Sequence, residues 1–173
     1  MTIHVPLMPH PDHPPRGVKG VEVTADIRRG ASVLTYRVDG QALVPAPAAP
    51  ERTDELWKHT CFELFVKPSG GEGYFEFNFA PSTAWAAYRF DAYRDGMRDQ
   101  PLDAPVVEPV EDRVRVSIDL GGLPEGEWRV AITAVIEEAD GTKSYWSAAH
   151  PAGKPDFHDP ACFVLELPAP SGA

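Results

Sequence analysis

The sequence predicts an all-β fold, an antiparallel β-sandwich of jelly-roll type. Three observations carry that prediction. Short apolar runs alternate with a period of two, the mark of half-buried strands. The chain's 19 prolines and 14 glycines cluster between those runs, as turn punctuation does. No stretch shows a helical period over a convincing length. With 173 residues and 43% hydrophobic content, one core of useful size can form.

Residues 1–16 are rich in proline and histidine and are expected to form an irregular N-terminal arm. The domain is expected over 17–168, with a short tail over 169–173. The first strand follows the arm, with Val21, Val23, Ala25 and Ile27 on one face and Glu22, Thr24, Asp26 and Arg28 on the other. "SVLTYRV" is a second strand, and "RRG" before it suits a hairpin turn. "PAPAAPERTDELW" reads as a loop by composition.

"CFELFV" alternates again, "KPSGGEG" is a turn, and "YFEFNFA" follows. The latter sets Phe75, Phe77 and Phe79 against Tyr74, Glu76 and Asn78. "WAAYRFDAY" is open between helix and strand; as a strand it groups Trp85, Ala87, Arg89 and Asp91. "PLDAPVVEPVED" reads as a loop. "RVRVSIDL" is a strand with Val114, Val116 and Ile118 inward. "EGEWRVAITAVIEE" is another, with Trp128 in the core among Val130, Ile132, Ala134 and Ile136. "KSYWSA" is a short strand, "HPAGKPDFHDPA" a proline-held loop, and "CFVLEL" the closing strand.

The formal net charge of −10, with no basic run to offset it, excludes nucleic acid and anionic membrane surfaces as partners. No apolar stretch approaches the roughly 20 residues of a spanning helix. The first twenty residues lack the pattern of a secretory signal, so a cytoplasmic location is expected. There, Cys61 and Cys162 are expected as free thiols rather than a disulfide.

Three blocks carry a family resemblance: "ELWKHTCFELFV", "GYFEFNFAPSTAWAAYRFDAYRDGM" and "HPAGKPDFHDPACFVLEL". In that order they resemble the DOMON-like domains, bacterial β-sandwich domains similar to family-nine carbohydrate-binding modules. The resemblance implies a concave sheet with a ligand site on or beside it. The wider DOMON group is associated with sugars or haem. Carried onto this chain, the sugar site implies Trp57, Glu63, Asn78, Trp85, Arg89 and Trp146 as ligand-binding residues. "WKHT" departs from the acidic residue that tends to follow the loop tryptophan in the sugar-binding modules.

The chemistry of a sugar site is simple. A flat ring stacks on the C–H face of the sugar, and fixed polar groups satisfy its hydroxyls. Asn78 is the chain's only asparagine, on a strand where asparagine is disfavoured. It either contacts ligand or bonds main chain at a strand end. Glu63 and Glu76 are ligand contacts or ordinary solvated strand residues. An alternative reading is a haem or transition-metal module using His59, His150 or His158. No pair of these has zinc-site spacing, and C-x-x-C is absent. A third is a protein-interaction domain whose exposed aromatics meet a partner chain. For catalysis, no nucleophile elbow, phosphate-cradling loop or H-E-x-x-H appears. The expectation is therefore a non-catalytic small-ligand module, for a saccharide or other polyhydroxylated molecule.

Overall fold

Among the described residues, twelve strands, each antiparallel to its neighbours, form two sheets joined through the first strand. The computed structural model describes residues 2–42, 44 and 46–169. In chain order the strands begin with β1 (Ile3–Pro9), β2 (Gly20–Asp26), β3 (Ala31–Asp39), β4 (Cys61–Pro68), β5 (Tyr74–Phe79) and β6 (Trp85–Phe90). They continue with β7 (Arg98–Asp99), β8 (Val106–Val110), β9 (Arg113–Asp119), β10 (Trp128–Glu137), β11 (Lys143–Ser147) and β12 (Leu165–Leu167). The all-β antiparallel prediction is met.

The first sheet runs β8-β9-β3-β2-β1. The second runs β11-β10-β4-β5-β6-β7, with β12 extending the β11 edge of β10. β1 crosses between them. Ile3–Leu7 pair with β2, and Met8 and Pro9 pair with β11. The connections after β3 and after β9 carry the chain from the first sheet to the second.

The sheets face each other across one core. The first contributes Val21, Val23, Leu34, Tyr36, Val116 and Ile118. The second contributes Phe62, Leu64, Phe77, Phe79, Ile132 and Ile136, with Trp85, Trp128 and Trp146 among them. Each large side chain removed from water contributes about 1.5–3 kcal/mol. Tyr36 crosses the layers and donates its buried hydroxyl to the Glu63 carbonyl at 2.9 Å.

The sheets differ on their far sides. The first sheet's outer residues, such as Glu22, Arg37, Arg113 and Arg115, meet solvent. The second sheet is buried on both faces, and β4 and β10 each hold at least seven buried residues. Its outer face carries a second apolar cluster of Phe65, Tyr74, Phe90, Phe157, Cys162 and Phe163. Cys61 and Cys162 belong to this cluster and are unbonded thiols.

Three local expectations need correction. The N-terminal arm contains β1, whose Ile3, Val5 and Leu7 alternate despite Pro6 and Pro9. Over Ile3–Leu7 it has a single neighbour, β2, and such a strand tolerates proline. The loop expected over 101–112 contains β8, an edge strand that also carries a proline, Pro109. "CFVLEL" is strand only over Leu165–Leu167, because Pro160–Cys162 form a 3-10 turn capped by the Asp159 side chain. The segment 85–93 resolves as strand up to Phe90. Of the tail expected over 169–173, Pro170 onward lies outside the described residues.

The tryptophans in this core give a direct stability test. Trp146→Ala should destabilise the chain by about 3–5 kcal/mol, the cost of a large buried cavity. Trp57→Ala, at a solvent-facing position, should cost under about 0.5 kcal/mol. Urea denaturation midpoints of the two variants measure the contrast.

Candidate functional site

The strand registers place a buried polar row across the outer face of the second sheet. Asn78 lies opposite Glu63, Glu63 opposite Thr133, and Thr133 opposite Ser147. All four are buried. The adjacent row is Tyr88, Glu76, Phe65 and Ala131. Glu63 and Glu76 are therefore diagonal neighbours on one face, a spacing that long side chains bridge.

Above these rows lies a cleft of about 360 Å³. Glu63 and Glu76 line it, with Trp57, Phe90, Tyr145, Phe157 and His158 among its walls and Arg94 and Met97 at one side. Phe90 and Tyr145 reach the cleft from β6 and β11, and three loops supply the other walls. The first carries Trp57 on a 3-10 turn, Leu56–Lys58. It is tied to the sheet where Tyr88 donates to Asp54 at 2.6 Å, and the Trp57 ring meets Tyr88 edge-on. The second follows β6 and includes Arg94 and Met97. Its Gly96 has a positive φ of 71°, and a side chain there would collide with Asp91. The third is the 150–161 segment. Asp156 joins the second and third loops, accepting from the Tyr93 hydroxyl and from Arg94 Nη2 at 2.7 Å.

Hydrogen bonds orient the floor. Thr133 donates to Glu63 Oε2 at 3.1 Å. With its amide nitrogen turned toward acceptors, Asn78 donates to Glu76 Oε1 at 3.3 Å and to the Phe77 carbonyl at 3.2 Å. The Tyr74 hydroxyl accepts from the Arg94 amide and lies 2.7 Å from His158 Nδ1. Its own proton can then go to Nδ1, which leaves the imidazole proton on Nε2, 3.7 Å from Glu76 Oε2.

Burial governs the charges here. It pushes the Glu76 carboxyl up to about 7, against the opposing bond from Asn78 and the charge of Arg94. Burial, and then the neighbouring Glu76, hold Glu63 well above the usual carboxylate range. Burial, and then Arg94, lower His158 to about 4. The 3.7 Å approach of Glu76 and His158 resembles an ion pair, yet at slightly acidic pH desolvation favours the neutral acid beside the neutral imidazole.

The residues expected at the site divide sharply. Trp57 and Glu63 line the cleft. Asn78 is fully buried beneath it and acts on Glu76 rather than on the open space. Trp85 and Trp146 lie on the opposite face, in the inter-sheet core. Trp85 is covered by the Arg52 guanidinium at 4.6 Å, and Trp146 donates to Ser144 at 2.8 Å. Arg89 shares the face of Trp85 and is exposed at the end of β6. Strand parity thus keeps three of the six away from the cleft.

The histidines also separate. His59 pairs with Glu137 at 3.0 Å, and His150 bonds the Met8 carbonyl at 2.8 Å. Only His158 lines the cleft. Among the described residues, no group of three or more His, Cys, Asp or Glu side chains is arranged to hold a metal ion. The three histidines therefore do not converge on one site. The sequence reading did not single out Arg94, Tyr145 or Phe157 for the site. "HPAGKPDFHDPA" held the available clue, because its aromatic and charged residues sit between prolines that shape a wall.

No family model and no curated protein matches the chain. Among solved structures it is similar to a proposed carbohydrate-binding protein from Bacteroides uniformis, with a TM-score of 0.68 at 16% identity. That likeness covers 92% of this chain and 84% of the other. A family-nine carbohydrate-binding module from Caldicellulosiruptor kristjanssonii, in complex with cellotriose, matches with a TM-score of 0.42 at 12% identity, over 80% of this chain and 72% of that one. At 16% identity the first likeness establishes a shared fold.

The charge state of the floor predicts a pH signature. Folded Glu76 keeps its proton up to about pH 7, whereas the unfolded residue loses it near 4.5. Its contribution to stability is therefore lost as pH rises through that window. His158, lowered to about 4 from 6.5, acts with the opposite sign, and its contribution to stability grows as pH rises. Glu63, also held above the usual carboxylate range, acts with the sign of Glu76, so the wild-type profile should fall as pH rises between the two values. Glu76→Gln should fall less steeply, gaining about 3 kcal/mol relative to wild type between pH 4.5 and 8. Melting temperatures across that range read the difference, on the order of 5–10 °C. A pH-independent difference would mean that Glu76 titrates as an ordinary surface carboxyl.

Proposed function

We propose that the protein binds a saccharide, or another polyhydroxylated small molecule, in the cleft on the outer face of its second sheet, without transforming it. One observation carries this reading: two buried carboxyl groups form the floor of a cleft walled by Trp57, Phe90, Tyr145 and Phe157. Rings offer apolar platforms to sugar C–H faces. Carboxyl oxygens, fixed by Thr133 and Asn78, offer hydrogen-bond partners to hydroxyls. A protein of the same fold is itself proposed to bind carbohydrate, which supports testing that ligand class first.

The platform differs from the one that the resemblance implied. Trp57 is the single tryptophan lining the cleft and is 37% exposed, so its indole is available to a ligand. Tyrosine and phenylalanine rings replace the second indole.

Calorimetric titration with mono- and oligosaccharides tests the proposal, with intrinsic fluorescence as a second readout. A bound sugar should perturb Trp57 emission, and Trp57→Ala should weaken binding by about tenfold or more, as loss of a central aromatic contact does. Sugar binding indifferent to both Trp57→Ala and Glu63→Gln would place the ligand elsewhere and overturn the assignment.

A further inference from the structure

The floor of the cleft poses a charge question that a neutral sugar leaves unanswered. Glu63 is 2% exposed and Glu76 is 4% exposed, and both line the cleft. Carboxyl groups buried to that degree normally face a guanidinium or an ammonium. Among the described residues, neither has an Arg or Lys within ion-pairing distance; His158, at 3.7 Å from Glu76, is the nearest basic group. Arg94 is the only lysine or arginine lining the cleft, and its guanidinium is engaged by Asp156 at 2.7 Å. The other titratable groups facing the pair are Cys61, Tyr74 and Tyr88, none of them a cation.

Hydrogen bonding is incomplete as well. Asn78 reaches Oε1 of Glu76, while Oε2 has only His158 Nε2, too distant at 3.7 Å for a hydrogen bond. A nine-tenths buried carboxyl thus turns an unfilled acceptor toward the cleft. Trp57, Phe90, Tyr145 and Phe157 line the cleft with it. Aromatic side chains lining a cleft together with buried carboxyls can attract an organic cation through cation–π contacts and charge-assisted hydrogen bonds.

We infer that the ligand of this cleft carries a protonated amine, as an amino sugar does, with its ammonium group at Glu76 and Glu63 and its ring against the aromatic walls. This rests on the saccharide reading above and narrows it. The ammonium takes the place of protons that the empty pair holds, so binding releases protons near neutral pH. The neutral sugar of the same shape gains only uncharged hydrogen bonds from the same floor.

The test uses the full chain and matched ligands. Glucosamine, galactosamine and mannosamine are titrated beside glucose, galactose and mannose and beside the three N-acetyl derivatives. Tetramethylammonium is titrated alone. The expected result is that at least one free amine binds about 10–100-fold tighter than its neutral and acetylated counterparts. The heat of that titration should change with the ionisation enthalpy of the buffer, reporting proton release. Glu76→Gln should reduce the amine preference to about one. If that variant fails to fold, competition by tetramethylammonium in the wild-type protein reads the same interaction. Neutral sugars binding as tightly as amines would overturn the amine inference and leave the saccharide reading in place. Tetramethylammonium binding without any sugar would keep the cation and overturn the saccharide. No binding by any of these ligands would overturn both.

Discussion

A strand surface can be hidden on both sides only if something besides the opposing sheet covers the second side. In this protein the first sheet packs one face of the second, and three loops pack the other. That arrangement determines the rest. It removes Glu63, Glu76, Asn78 and Thr133 from water although they occupy the face that alternation would assign to solvent. Once removed, they must satisfy one another or remain incomplete. Thr133 and Asn78 satisfy part of the demand, and the cleft is where the remainder stays open.

The same arrangement explains what could be read from the chain and what could not. Core positions were legible wherever one face met solvent: Val114, Val116 and Ile118 alternate cleanly with charged residues on β9. Trp128 declared itself by its apolar neighbours on β10. Trp85 and Trp146 were harder, since a tryptophan near a loop or a polar residue fits a platform as well as a core. Their strand parity decides the matter, with Trp85 directly opposite Phe79 and Trp146 directly opposite Ala134 in the inter-sheet face. Asn78 illustrates a subtler limit. The sequence marks it as anomalous on a strand, and the structure agrees that it has a polar task. The task is to hold Glu76 from beneath, which no spacing rule distinguishes from touching a ligand.

The loops were the least legible part, for a physical reason. Their contributions depend on distant partners: Asp54 meets Tyr88, Asp156 meets Arg94, and His158 meets Tyr74. Each contact spans at least thirty residues of sequence, so no local pattern encodes it. Composition correctly marked 150–161 as a loop, but only the packing of Phe157 and His158 on the sheet makes it a wall. β1 was obscured similarly, because two prolines outweighed an alternation that pairing with β2 makes real.

Arg94 shows how narrowly the character of the cleft is set. Its side chain lies close enough to the floor to lower the affinity of Glu76 for its proton, and a guanidinium turned fully onto that carboxyl would make a closed ion pair. Asp156 prevents this by competing for it. The Asp156 carboxylate accepts from Arg94, from the Tyr93 hydroxyl and from the His158 amide, so three donors converge on one acceptor outside the polar row. The cation is thereby committed to joining the two loops, and the carboxyls beneath it keep their unfilled acceptor capacity. Architecture and charge are thus one problem here. The contact that joins the two loops is also the contact that keeps the Arg94 guanidinium off the floor.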